Sequence, residues 1–286
     1  MKEFVDVTII IVSWRVKGLL EECLRSVIQE TKNISYEIFV VDNNSNDGTV
    51  EMINKQFPNV MLIANEENMG FAQANNQAME KANGKFILLL NPDTKILDNA
   101  IEKTMRFMEE NPDAGIAGCH FQYPNQKHQP SVRRFPTLLS MSLILLKLHR
   151  IFPSLPPLKK YIADDIDYSY SQMVDQVMGA FFMIDRKLFE QVGYLDSKYF
   201  IWFEEVDYCY RAIKAGWKIY YFSGAEIFHY HAQSFNQVLG YEKQKIYNKS
   251  LSLYFKKYHS MISYVVIRIL SVPSLIISLI VQQFKR

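Results

Sequence analysis

The run Phe86-Ile87-Leu88-Leu89-Leu90 stops at Asn91-Pro92-Asp93. Five consecutive apolar residues predict a strand buried on both faces, as in a parallel or mixed sheet covered by helices. Pro92 has no N–H to give to a ladder, so the strand ends there. Asp93 is thereby presented at a carboxyl edge, where open α/β sheets bind their ligands. A carboxylate at that edge suits a hard divalent cation bridging a nucleotide diphosphate. Asn, Pro and Asp are also turn formers, and a plain turn accounts for the same three residues.

Upstream, residues 7–12 form a second buried run that leads into Ser13-Trp14-Arg15, followed by a helical pattern through Leu19, Leu20, Cys23, Leu24, Val27 and Ile28. A strand over 36–41 ends in Asp42-Asn43-Asn44-Ser45-Asn46-Asp47-Gly48-Thr49. Residues 49–57 read as a helix, 60–64 as a strand and 70–83 as another helix. Such alternation over the first hundred residues predicts βαβ units, an α/β fold and a parallel sheet. No strand is followed by Gly-x-Gly-x-x-Gly or Gly-x-x-x-x-Gly-Lys, so neither phosphate-loop signature is present. Downstream, the pattern predicts a helix over 101–111, a strand over 115–119 and an irregular Pro- and aromatic-rich stretch over 120–175. Strand character returns at 177–184. Residues 189–215 are partly helical, and a strand over 217–222 leads to Glu226-Ile227-Phe228-His229-Tyr230-His231.

The chain has 286 residues, 49% of them hydrophobic and 14% aromatic, enough for one full core and an appendage. A net charge of +2 argues against broad nucleic-acid binding. Cys23, Cys119 and Cys209 are few and widely spaced, which predicts reduced thiols and no zinc site. The first residues lack the layout of a signal peptide. Two stretches are unusually apolar: 138–148, which runs on to Lys147, His149, Arg150, Lys159 and Lys160, and 261–281. The second just reaches spanning length, yet Arg268 and Pro273 interrupt it. With Lys243, Lys245, Lys249, Lys256 and Lys257 upstream, the favoured expectation is in-plane or peripheral membrane contact. The competing one is a helix that closes the core or a dimer interface.

Ser13, Asp42 and Asn91-Pro92-Asp93 follow three strands of one parallel sheet and so share an edge. Asp42 is a candidate acceptor for a nucleobase or ribose, or else a cap, a role open to Ser45 and Asp47 as well. Asn68, before Gly70-Phe71, either contacts a base or caps the next helix. The second constellation is Trp202-Phe203-Glu204-Glu205-Val206-Asp207-Tyr208-Cys209-Tyr210-Arg211. On a helix Glu204 and Asp207 share a face near Arg211, while Glu205 points elsewhere and remains free. A carboxylate among aromatics has its pKa raised towards working pH, which suits a general base. His229 and His231 alternate on an extended segment, so one of them at most reaches a cation held by Asp93.

Taken together, residues 8–14, Val41-to-Thr49, Asn68-Met69-Gly70-Phe71-Ala72, Leu90-Asn91-Pro92-Asp93, Phe203-Glu204-Glu205-Val206-Asp207 and the late His resemble the family 2 inverting glycosyltransferases. The likeness is to their rhamnosyltransferase-like bacterial members and covers about residues 5–235. It implies a GT-A fold over 1–240, with a nucleotide-binding half (1–120) and an acceptor half (121–240), and the basic and apolar residues of 241–286 read as a helical tail. It also implies a dTDP- or UDP-sugar donor, a Mg²⁺ or Mn²⁺ ion, and a glycan or lipid-linked acceptor at the cytoplasmic face of the inner membrane. By position, Ser13, Asp42, Asn68, Gly70, Asn91 and Asp93 would serve the donor, and Asp93 and His229 the metal. Glu205, with Glu204 beside it, would be the base, and Trp202 and Asp207 would lie on the acceptor side. Asn91 departs from the family's Asp-x-Asp, and Glu205 from its usual Asp. A nucleotidyltransferase and an inactive sugar-nucleotide-binding scaffold are the alternatives.

Overall fold

The computed structural model describes residues 4–230 and 237–283, so His231 lies outside the described residues. The elements in chain order are β1 (Val5–Ser13), α1 (Lys17–Glu30), β2 (Tyr36–Asp42), α2 (Thr49–Gln56), β3 (Met61–Ala64), α3 (Phe71–Met79), β4 (Gly84–Leu90), β5 (Thr94–Ile96), α4 (Ala100–Glu110) and β6 (Ala114–Gln122). Then follow β7 (His128–Gln129), β8 (Val132–Arg133), α5 (Leu138–Leu145), α6 (Pro156–Tyr161), β9 (Gln172–Met173), β10 (Gln176–Val177), β11 (Phe181–Asp185), α7 (Arg186–Val192) and α8 (Glu204–Lys214). β12 (Lys218–His229), α9 (Gly240–Tyr258) and α10 (Met261–Gln283) complete the chain.

The main sheet runs β3-β2-β1-β4-β11-β6-β12-β5. Its first four strands are parallel, β11 is antiparallel to both β4 and β6, and β12 returns parallel to β6. Successive residues of β4 alternate between two cores, as a doubly covered strand requires. Phe86, Leu88 and Leu90 join one core, under α1, α2 and α4. Ile87 and Leu89 join the other, under α3 and α8. All five are at most 2% exposed, and each contributes about 1.5–3 kcal/mol by leaving water. Strand order reverses between β1 and β4, which opens a crevice at their carboxyl ends.

A third core joins α5, α9 and α10 to the loop before α8 through Met141, Leu145, Tyr199, Phe203, Leu251, Phe255 and Ile267. The stretch from 241 onward is thus no detached tail. α9 is packed onto the loop before α8, where Ser250 Oγ donates to Ile201 O at 2.9 Å. Lys257, expected among the lysines that face lipid, instead reaches Asp196 and Asp207. The three cysteines are buried and unpaired.

Candidate active site

The junction after β4 is both a turn and a ligand edge. Asn91 N donates to Ala180 O at 3.0 Å, the last rung towards β11. The Thr94 hydroxyl then donates back to Asn91 O at 2.7 Å and closes the turn. β5 leaves that turn and pairs antiparallel with β12, with Thr94 opposite His229. This pairing brings residues more than a hundred positions apart together: Tyr230 N donates to Asp93 O at 2.9 Å, and His229 Nε2 lies 3.5 Å from Asp93 Oδ1. Both side chains are about 95% buried.

Gln129 Oε1 lies 3.1 Å from His229 Nδ1. An amide oxygen only accepts, so Nδ1 is the donor in this contact, and Nε2 is the nitrogen that faces Asp93. One carboxylate oxygen and one imidazole nitrogen fit a divalent cation that draws further ligands from phosphate oxygens and water. Among the described residues no cluster of three His, Cys, Asp or Glu side chains forms, so substrate oxygens would have to complete such a shell.

Asp93 and His229 line one part of a cavity of about 520 Å³ that also takes in Trp14, Asn43, Asn68, Gly70, Asn91, Trp202, Glu204 and Glu205. That size suits a nucleotide-sized ligand. Gly70 sits where the wall is tightest. Its φ is +79°, and a Cβ there would come 2.4 Å from Phe200 O, so only glycine fits. Phe71 N donates to the same carbonyl at 2.6 Å, tying α3 to the loop that carries Trp202. Trp202 and Phe203 both have left-handed backbone, with φ of 65° and 71°. For aromatic residues this costs about 1–2 kcal/mol each, held in place by the third core, and it turns the chain so that α8 starts at the cavity wall.

Glu204 and Glu205 occupy the first turn of α8, where unpaired amides favour negative charge. Burial raises the Glu204 carboxyl well above the ordinary range, and the Glu205 charge beside it adds to the rise. Burial also raises Glu205, against the pull of backbone amides at the helix start. One oxygen of each carboxylate is buried with no hydrogen-bond partner among the described residues. Two acceptors poised in a cavity in this way can take a proton from a bound hydroxyl.

This geometry can be set beside known proteins. The model of the family "Glycosyl transferase family 2" matches residues 8–193. The chain belongs to glycosyl transferase family 2. It is similar to an N-acetylglucosaminyl-diphospho-decaprenol L-rhamnosyltransferase of Mycobacterium tuberculosis, at 27% identity over 75% of this chain and 73% of that protein. It is also similar to a low-salt glycan biosynthesis hexosyltransferase of Haloferax volcanii, at 26% identity over 72% of this chain and 61% of that one. Among solved structures, a mannosyltransferase from Pyrobaculum calidifontis in complex with GDP-Man and Mn²⁺ superposes with a TM-score of 0.59 at 15% identity. That match covers 98% of this chain and 75% of the other. GalNAc-T7 with UDP, GalNAc and Mn²⁺ gives 0.59 at 18% identity, covering 79% of this chain and 43% of that one. The glycosyltransferase thus has the GT-A fold that its resemblance to the family implied.

Within the glycosyltransferase, the expected site residues separate. Asn68, Gly70, Asn91, Asp93, Trp202, Glu204, Glu205 and His229 line the cavity; Ser13, Asp42 and Asp207 do not. Ser13 is fully buried, and its neighbours Val12 and Trp14 form the wall instead. Asp42 Oδ2 accepts from Ser45 N at 3.1 Å. It is Asp47 that accepts from Thr49 N at the start of α2. Asn68 Oδ1 accepts from Gly70 N at 2.9 Å and so shapes the turn while lining the cavity.

Asp207 is the clear correction to the acceptor-side expectation. It is 0% exposed, pairs with Arg211 Nε at 2.8 Å and with Lys257, and accepts from the Tyr258 hydroxyl at 2.7 Å. Those partners consume its oxygens and clamp α8 to α9. Arg211 pairs with Asp207 and not with Glu204, so Glu204 stays with Glu205 in the cavity. Asn43 and Gln129 were not singled out from the sequence. Asn43 lay within the quoted strand-end motif, whereas Gln129 carried no signal.

A raised carboxyl pKa has a stability consequence whose sign follows from linkage. Glu204 binds its proton more tightly in the fold than in the open chain. Its burial is therefore best tolerated at low pH and becomes a destabilising charge as pH rises through the folded pKa. Glu204→Gln is expected to raise the melting temperature more at pH 8 than at pH 5. A gain that is equal at both pH values, measured by calorimetry, would contradict the buried charge.

Proposed function

We propose that this glycosyltransferase moves a sugar from a nucleoside-diphosphate donor to a hydroxyl acceptor in one displacement that inverts the anomeric carbon. The observation that carries this reading is the division of the cavity: Asp93 and His229 are paired by β5 and β12 on one part of its wall, and Glu205 has a buried free oxygen on another. The donor lies along the carboxyl ends of β1, β2 and β4, with Asn43, Asn68 and Gly70 around it. Glu205 removes the acceptor hydroxyl proton; that oxygen bonds to the anomeric carbon as the bond to the diphosphate breaks and its electron pair leaves with the phosphate oxygen. Asp93 and His229 would hold Mg²⁺ or Mn²⁺, which when bound offsets charge on the departing diphosphate. Burial keeps the Glu205 proton affinity above that of an ordinary glutamate, which suits a base.

The name of the mycobacterial relative supports rhamnose as the sugar and a lipid-linked acceptor, and similarity to a putative teichuronic acid biosynthesis glycosyltransferase of Bacillus subtilis supports a role in cell-surface polysaccharide synthesis. The solved structures support a nucleotide sugar with a divalent ion. Residues 1–240 form the catalytic unit in this reading, and the helices that follow are its lipid-side appendage. The test is a thermal-shift screen of dTDP-, UDP- and GDP-sugars with Mn²⁺ on the full chain. One nucleotide class should stabilise the fold strongly and lose the effect in EDTA; stabilisation by none would reject the reading.

Membrane contact follows from α10. Its 23 residues are long and apolar enough to cross a membrane, yet one side packs on α9 and α5. Ile262, Val265, Ile269, Val272, Ile276 and Leu279 form an exposed stripe at 3- and 4-residue spacing. Arg268 is exposed beside it, where the bilayer centre would charge about 2.5–3.5 kcal/mol but the headgroup zone would not. Leu139, Ile151 and Phe152 add exposed apolar surface on and after α5. We place the helix in the plane of the inner membrane, at its cytoplasmic face. Changing four stripe residues to Gln should move the protein from anionic vesicle pellets to the supernatant without lowering its melting temperature. Continued pelleting, or conversion of a dimer to a monomer instead, would assign the stripe to another role.

A further inference from the structure

Arg133 and Arg134 are adjacent but differently employed. Arg134 Nη2 pairs with Asp165 at 2.8 Å, and Nη1 lies 3.8 Å from Asp175. Arg133 pairs with no described carboxylate. Its only hydrogen bond among the described residues is from Nη1 to the carbonyl of Val132, at 2.7 Å. It lines the cavity, and among the described lining residues it is the one permanent cation, set against Asp93, Glu204 and Glu205. An arginine held there without a partner suits an anion, and its planar fork matches phosphate oxygens.

The position distinguishes it from the donor end. The two-stranded ribbon of β8 and β10, a sheet separate from the main one, sets Arg133 opposite Gln176. The Tyr161 phenol, pushed up to about 12 by burial, is held back by the Arg133 charge and raised further by Glu205. All three side chains line the same cavity. Tyr161, Trp202 and Tyr247 line the cavity and also pack against the core that joins α5, α9 and α10. On this side the cavity is continuous with the helical layer that carries the exposed apolar stripe.

We infer that Arg133 binds a phosphate of the acceptor, a prenyl-type diphosphate whose chain runs towards α5 and α10 and whose sugar hydroxyl faces Glu205. The inference rests on the proposed glycosyl transfer and assigns the acceptor's head group to one residue. An acceptor of this class carries a charged diphosphate directly beside an apolar chain, which matches a lone guanidinium at the border of an aromatic and apolar wall. No bond is made or broken at Arg133; it is a specificity residue.

The test measures binding to the full-length protein and three variants, Arg133→Ala, Arg133→Gln and Arg133→Lys. Farnesyl diphosphate and farnesol are titrated in EDTA, so that no metal captures the diphosphate, and dTDP and UDP are titrated with Mn²⁺. Wild type should bind farnesyl diphosphate at least tenfold more tightly than farnesol. Arg133→Ala and Arg133→Gln should abolish that preference, Arg133→Lys should keep part of it, and the affinity for the nucleotide should change less than twofold in all three. An unchanged farnesyl diphosphate affinity in Arg133→Gln, or no preference in wild type, overturns the inference. So does a matching loss of nucleotide affinity, which would give the guanidinium to the donor. A wild type that binds neither nucleotide rejects the glycosyl-transfer reading itself, a result separable from the others.

Discussion

Glu205→Gln is expected to lower kcat by about 10³-fold, within the range a general base supplies, while the donor affinity stays within twofold. The amide keeps the shape of the side chain and its contacts with the start of α8 but cannot accept the hydroxyl proton. Glu204 stands next to it in the same cavity, and burial with like-charge proximity holds its proton even more firmly. That tighter hold makes it the poorer base of the two, and its own Gln variant is expected to be far milder. The raised Glu205 pKa also sets the pH profile. A base must be deprotonated to act, so kcat/KM falls as pH drops through a value above the ordinary 4.5 of a glutamate. Wild-type turnover in Glu205→Gln, measured by release of the nucleoside diphosphate, would remove Glu205 from the chemistry.

Asp93→Ala should act on the donor rather than on the proton. It removes the carboxylate opposite His229 and leaves the β5–β12 pairing, which rests on backbone bonds and on Thr94 facing His229. The expected result is loss of the Mn²⁺-dependent part of nucleotide binding, about 10²-fold or more, since even loss of a supporting partner costs 10–100-fold at metal sites. The melting temperature should change little without nucleotide. Equal nucleotide affinity with and without Mn²⁺ in both proteins would show that Asp93 serves another purpose.

β1, β2 and β4 were readable because each is covered on both faces, so burial wrote a continuous apolar run into the chain, whereas β3 is a short, half-exposed edge strand. The apolar run of residues 86–90 gives way to Asn91-Pro92-Asp93 where the ladder ends, and Asp93 follows the end of β4 at the cavity. The partner of Asp93 was harder. β5 has three residues, too short for any periodicity, and it meets β12 across more than a hundred residues; only the assembled sheet puts Thr94 opposite His229. Asp207 was misassigned for a similar reason. Helical spacing showed its contact with Arg211, but Lys257 and Tyr258 approach from α9, fifty residues on. Gln129 lies in a two-residue strand and orients His229 through one hydrogen bond, which leaves no trace in local sequence. Local patterning thus marked which residues sit at the crevice, while their division of labour depended on long-range pairing.

That division is open to one direct measurement, because the cavity holds two places where a cation can meet carboxylate: the Asp93–His229 pair and the Glu204–Glu205 pair. The protein crystallised with dTDP or UDP and Mn²⁺ should give a single anomalous scattering peak at the manganese edge, within coordination distance of an Asp93 oxygen and His229 Nε2, with Glu205 clear of it. A peak at Glu204 and Glu205 would occupy the proposed base and contradict the mechanism at its centre.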